Sequence, residues 1–186
     1  MGAAGVDAVQ LREKDLPAGS LAEVGRRIAA VLESRVMLLV NGRVDVALAI
    51  GAAGVHLPSR GLPVARLRRR FPSLVIGAST HRLEEVAAAA EAGADYVTFG
   101  PVYAPTSKTS ALAPVGLEGL ARAASLGIPV LALGGITLDR LAEVAAAGAA
   151  GVAAIGAFQP PRDPREFVGQ AHRHFATREA RGAVRS

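Results

Sequence analysis

Short apolar runs alternate with alanine-rich amphipathic stretches along almost the whole chain. Runs at 7–11, 36–40, 54–57, 74–77, 96–99, 130–133 and 152–155 predict seven strands. Helical stretches near 20–33, 43–50, 63–70, 81–91, 116–126, 137–146 and 163–175 follow them in turn. The strands read as nearly continuous hydrophobic segments, the pattern of strands covered on both faces. Strict alternation of strand and helix implies parallel strands joined by right-handed crossovers.

A repeat narrows the architecture. Gly5-Val-Asp-Ala-Val9, Gly51-Ala-Ala-Gly-Val55, Gly93-Ala-Asp-Tyr-Val97 and Gly148-Ala-Ala-Gly-Val152 share one shape. Each reads as a helix-ending glycine in the left-handed region, a short turn, and a valine that opens a strand. Repeated turns of one orientation favour a (β/α)8 TIM barrel over an open sheet. Gly5 reads as the end of a helix, yet only four residues precede it. The expectation is therefore a barrel lacking its first β-strand in this chain. One domain is expected over 1–175, then a basic, disordered tail over 176–186.

Composition removes several function classes. The 186 residues are 51% apolar, which excludes general disorder. Cysteine is absent, so disulfides, thiolate metal sites and a cysteine nucleophile are excluded, in keeping with a cytoplasmic protein. No apolar run reaches membrane-span length and no signal peptide opens the chain. Aromatics are 4%, leaving few platforms for stacking nucleobases. The net charge of +5 gathers from Arg162 onward and at Arg66, Arg68, Arg69 and Arg70. These read as solvated faces, with neither a nucleic acid nor a membrane as partner. Arginine supplies all but two of the basic side chains; the exceptions, Lys14 and Lys108, suggest places that need a compact point charge.

In parallel βα folds, chemistry collects where strands end. Gln10, Arg12 and Lys14 alternate along the first strand and its continuation, and so are expected to share a face. Two cations and an amide together suit an oxyanion or pyrophosphate. The alternative is that Glu13 and Asp15 neutralise them as surface pairs. Asn41 and Ser79 stand at later strand ends. Gly134-Gly135 follows the sixth strand and Ile155-Gly156 the seventh. Paired loops at two late strands suit a phosphate held by backbone N–H groups. His56 reads as a hydrogen-bonded structural histidine and His81 as a helix-start capping residue.

These segments together resemble the thiamine phosphate synthase/TenI family. The resemblance rests on Val9-Gln-Leu-Arg-Glu-Lys-Asp15, Leu39-Val-Asn-Gly-Arg-Val-Asp45, Gly54-Val-His-Leu57 and Ile76-Gly-Ala-Ser-Thr-His81, in that order. It continues through Phe99-Gly-Pro-Val102 and Ala132-Leu-Gly-Gly-Ile136. It implies a compact barrel and one of two chemistries. The synthase joins a pyrimidine pyrophosphate to a thiazole phosphate with Mg²⁺; the TenI branch aromatises a thiazole phosphate carboxylate by moving a proton, without metal. The synthase pattern places an acid after the strand-end Asn, where this chain has Gly42. It places a second in the loop after His-Leu, where this chain has Pro58-Ser59-Arg60-Gly61. The TenI pattern can place a catalytic His where this chain has Pro101, while Pro105 to Thr109 resembles the synthase loop.

The reading that follows is a TenI-like thiazole tautomerase, with the synthase as alternative and a catalytically degenerate ligand-binding barrel as a third. Gly134, Gly135, Ile155 and Gly156 are expected to hold the phosphate through backbone amides. Gln10, Arg12, Lys14, Asn41 and Ser79 are expected to line the mouth. Lys108 is the expected catalytic group, holding a substrate carboxylate or acting as base. No cofactor is expected, Mg²⁺ entering only with the synthase. The partner is a small-molecule phosphate, and a homo-oligomer stays open.

Overall fold

The structure, a computed structural model, describes residues 5–104, 112–159 and 163–175. The chain divides into two compact units: Met1–Ser79 with Glu91–Asp95, and Thr80–Ala90 with Tyr96–Ser186.

The first unit is built on β1 (Ala8–Leu11), β2 (Met37–Asn41), β3 (Gly54–Leu57) and β4 (Val75–Thr80), whose last residue falls in the second unit. The pairs are parallel and in step: Leu11 lies beside Val40, Asn41 beside His56, and His56 beside Gly77. Between the strands run α1 (Ala18–Val31), α2 (Val44–Ile50) and α3 (Val64–Arg70). Val40, Val55 and Ile76 are fully buried and pack in one cluster with Leu21 of α1, Val46 of α2 and Leu67 of α3. Consecutive Leu38, Leu39 and Val40 are all buried. Both faces of β2 are thus covered, which is why its apolar run does not alternate.

The second unit holds β5 (Tyr96–Phe99), β6 (Val130–Leu133) and β7 (Gly151–Ala153), again parallel, with Phe99 beside Ala132 and Ala132 beside Val152. Its helices are α4 (Leu83–Glu91), α5 (Gly116–Ala124), α6 (Leu141–Ala146) and α7 (Pro164–Phe175). The last residue of α4, Glu91, is counted with the first unit. Val86, Leu120, Leu141 and Val144 on these helices are fully buried, as are Val97 and Val130 on the strands. Strand order follows chain order from β1 to β7, and βα alternation in that order is the topology of a TIM-type barrel. Among the described residues there are seven strands, the number predicted. The expected tail over 176–186 lies outside the described residues.

The four repeat glycines all adopt the left-handed backbone, with φ of 81°, 65°, 85° and 101° at Gly5, Gly51, Gly93 and Gly148. Gly51, Gly93 and Gly148 each follow a described helix, α2, α4 and α6, as the repeat predicts; the residues before Gly5 lie outside the described ones. Arg68 corrects another expectation. It is not part of a solvated face: its Nε donates to the Gly93 carbonyl (2.9 Å), and its Nη1 to those of Pro72 (2.7 Å) and Leu74 (3.0 Å). Its Nη2 meets Asp95 Oδ2 at 2.6 Å, and the same oxygen accepts the Ile76 N–H at 2.6 Å. Arg68→Ala leaves three carbonyls and a carboxylate without this donor. The expected loss is about 2 kcal/mol, read by urea unfolding. A midpoint equal to wild type would show that water replaces the guanidinium without cost.

Candidate functional site

On the first unit, the in-step register brings the C-terminal ends of β1 to β4 to one edge. Gln10 is exposed near the end of β1, and Asn41 closes β2, half-buried. His56 is buried on β3, and its Nε2 lies 2.8 Å from Oγ of Ser79 on β4. The strand stops at Leu11, so the alternation argument reaches Gln10 only. Arg12 and Lys14 lie beyond the strand, both exposed, and no shared face follows from their spacing. Arg12 still reaches His56 electrostatically.

Burial, and secondarily the Arg12 charge, lowers the His56 pKa to about 4. The imidazole is therefore neutral at pH 7 and serves Ser79 as a hydrogen-bond partner. Unfolded, it takes a proton near pH 6.5; folded, it resists until about 4. Acid thus favours the unfolded chain. Stability present above pH 6.5 should fall by up to about 3 kcal/mol on the way to pH 4. His56→Gln keeps a polar group beside Ser79 but cannot titrate, and should lack this loss. Parallel pH profiles for the two proteins would refute the assignment.

On the second unit, β6 and β7 end side by side, Leu133 beside Ala153. Gly134-Gly135 and Ile155-Gly156 therefore leave the sheet at the same end of adjacent strands. Gly134 and Gly135 stand at φ +98° and +66°. A Cβ on Gly134 would lie 2.6 Å from Pro101 Cβ, and one on Gly135 would lie 2.8 Å from Tyr103 Cβ. Both the backbone angles and the close packing select glycine. Among the described residues, the N–H groups of Gly135 and Ile136 donate to no backbone carbonyl. Ile155 and Gly156 are exposed, and the space a Cβ would take on Gly156 is open.

His81 differs from its expected role. Its Nδ1 pairs with the Gly100 carbonyl at 2.5 Å, tying down the end of β5. Its backbone N–H, not its side chain, takes part in the helix start by donating to Glu85 Oε2 at 2.7 Å. Lys108 lies outside the described residues. Sequence reasoning missed a cluster beside the glycine turn. The Tyr103 hydroxyl donates to Glu143 Oε1 at 2.5 Å, and the Arg140 guanidinium lies 4.2 Å from the Tyr103 ring centroid. Burial first, and then the bond to Glu143, pushes the Tyr103 phenol well above its ordinary pKa. Tyr103 and Glu143 are forty positions apart, so no local spacing signals their contact.

The resemblance calls for Mg²⁺ in one branch, and the residues present do not suit it. Gly42, at φ +69°, offers no carboxylate, and neither does the loop Pro58-Ser59-Arg60-Gly61. Asp45 is held by Arg43 through two bonds of 2.9 and 2.6 Å. Among the described residues, no three acidic or imidazole groups are placed to hold a metal ion. Mg²⁺ held beside a phosphate ordinarily takes one or two protein carboxylates.

Parallel βα units in chain order define a protein of the TIM-barrel class. The family model described as thiamine monophosphate synthase matches residues 1–158, and the chain belongs to that family of thiamine-biosynthesis enzymes. A thiamine-phosphate synthase of Anaeromyxobacter dehalogenans is 47% identical over 183 residues, 97% of this chain and 82% of that one. A putative thiamine-phosphate synthase of Geobacter sulfurreducens is 49% identical over 167 residues, 88% of this chain and 78% of that one. A solved structure, the thiamine phosphate pyrophosphorylase from Pyrococcus furiosus, superposes with a TM-score of 0.79 at 35% identity. The match covers 94% of this chain and 85% of that one. These relatives agree with the synthase alternative rather than with the tautomerase reading, which they do not support. Among the described residues, no helix is long and apolar enough to cross a membrane.

Proposed function

We propose that the chain is a thiamine-phosphate synthase, joining a hydroxymethylpyrimidine pyrophosphate to a thiazole phosphate with release of pyrophosphate. The likeness to proteins of that name over nearly the whole chain carries this reading. Pro101 adds to it: where the tautomerase pattern can place a histidine, this chain has a ring packed on Gly134. The cations Arg12 and Lys14 suit the pyrophosphate, whose charge grows as its bond to the pyrimidine methylene breaks. Gln10, Asn41 and Ser79 supply hydrogen bonds near them. On the second unit, Gly134, Gly135, Ile155 and Gly156 suit the thiazole phosphate through their amides. Lys108 is a further candidate for substrate phosphate.

Incubation with both substrates should release inorganic pyrophosphate, and either substrate alone should not. Conversion of thiazole phosphate carboxylate to its aromatic tautomer, with no pyrophosphate released, would return the function to the isomerase branch. Ligand binding without either turnover would leave a non-catalytic binding protein. A separate expectation concerns metal. Magnesium titrated into the ligand-free protein should show no site tighter than about 1 mM, because the carboxylates that would hold it are missing. A tight calorimetric site in the absence of substrate would overturn that.

A further inference from the structure

The turn after β6 is fixed by three consecutive carbonyls. That of Leu133 accepts from Val102 N–H at 2.8 Å, and that of Gly134 from Tyr103 N–H at 3.2 Å. The carbonyl of Gly135 accepts from Nη1 of Arg140 at 2.6 Å. In a trans peptide the N–H points opposite to the C=O of the same unit. Pinning the carbonyls of Gly134 and Gly135 therefore turns the N–H groups of Gly135 and Ile136 away from Tyr103 and Arg140. Two of the three pins are backbone to backbone. The third is a side chain, and it is held in turn. Arg140 lies over the Tyr103 ring, and the Tyr103 hydroxyl is bound to Glu143, three residues beyond Arg140. Among the described residues the Arg140 guanidinium has no carboxylate at ion-pair distance. Its partners are a carbonyl and a ring face, an arrangement that fixes direction rather than neutralising charge.

We propose that Arg140 is a positioning residue for phosphate binding, holding the Gly135 carbonyl against the Tyr103 platform so that the Gly135 and Ile136 amides stay directed at the anion. This rests on the reading that the turn takes the thiazole phosphate. Arg140 itself need not touch the substrate, and Tyr103 and Glu143 act through it.

The test compares thiazole phosphate with its dephosphorylated alcohol by calorimetric titration, in wild type, Arg140→Leu and Arg140→Lys. Arg140→Leu should bind the phosphate at least tenfold more weakly and the alcohol within twofold of wild type. Arg140→Lys can still donate to the carbonyl and should recover part of the loss. In turnover, KM for the phosphate should rise while kcat stays within twofold. Equal loss for phosphate and alcohol, or no loss for either, would overturn the proposal. Should Arg140→Leu fail to fold, Tyr103→Leu, which removes the ring platform, takes its place under the same criteria. If the wild type prefers neither compound, the thiamine reading fails separately. The same variants are then titrated with inorganic phosphate: a tenfold weakening in Arg140→Leu upholds the positioning role, while equal affinity or no binding at all rejects it.

Discussion

Gly135→Val is expected to weaken thiazole phosphate binding at least tenfold, about 1.4 kcal/mol or more. Two effects act together. The backbone there stands at φ +66°, a conformation that a β-branched residue adopts only under strain. A Cβ would also lie 2.8 Å from Tyr103 Cβ and 3.3 Å from the Ala104 carbonyl. Relief requires the turn to move, and with it the two amides assigned to the anion. Calorimetric titration measures the effect, with circular dichroism showing that the variant is folded. Unchanged affinity in a folded Gly135→Val protein would place the phosphate elsewhere and remove the main support for the phosphate site proposed on the second unit.

Gly54→Ala should be more damaging to the fold itself. Gly54 opens β3 beside Val75 of β4, and a Cβ there would lie 2.0 Å from the Val75 carbonyl oxygen and 2.6 Å from Val75 Cβ. The colliding oxygen belongs to the backbone of a neighbouring strand, so no rotamer change clears it. Separating the strands breaks their ladder and opens the cluster of Val55 and Ile76 behind them. A loss of at least about 3 kcal/mol is expected from one added methyl group, at the upper end for overpacking. Urea unfolding measures it where the variant is soluble. A melting temperature within about 2 °C of wild type would show that β3 and β4 are not paired in this register.

Much of the fold was legible in the chain because the signals that encode it are local. Apolar runs bounded by glycine mark β3, β5 and β6 to the residue: 54–57, 96–99 and 130–133 were read and are observed. The repeat glycines work the same way, since a left-handed residue after a helix needs no distant partner. Errors arose where a local rule was carried past its element. Period-two alternation holds only while the backbone is a strand, so it reached Gln10 but not Arg12 or Lys14. Contacts between distant segments left no trace. Nothing near Arg68 announces Gly93 or Asp95, and a run of arginines reads as solvated by default. Tyr103 and Arg140 were likewise invisible as a pair. The choice between branches is a different case. It was drawn from two missing carboxylates, a small part of the chain, whereas the likeness that spans the chain supports the synthase alternative.

The Arg68 cradle has a chemical consequence of its own. Three carbonyl oxygens and one carboxylate oxygen converge on a single planar cation; they come from the loop between α3 and β4 and from the turn through Gly93 and Asp95. Such an array is in effect a receptor for guanidinium, covalently filled by the side chain that the fold happens to supply. In Arg68→Ala the receptor is vacated, and free guanidinium has the same fork of donors without the tether. The salt commonly used to denature proteins would then act on this variant in two opposed ways. At low concentration it would occupy the cradle and stabilise the fold by mass action; at high concentration it would unfold the chain as usual.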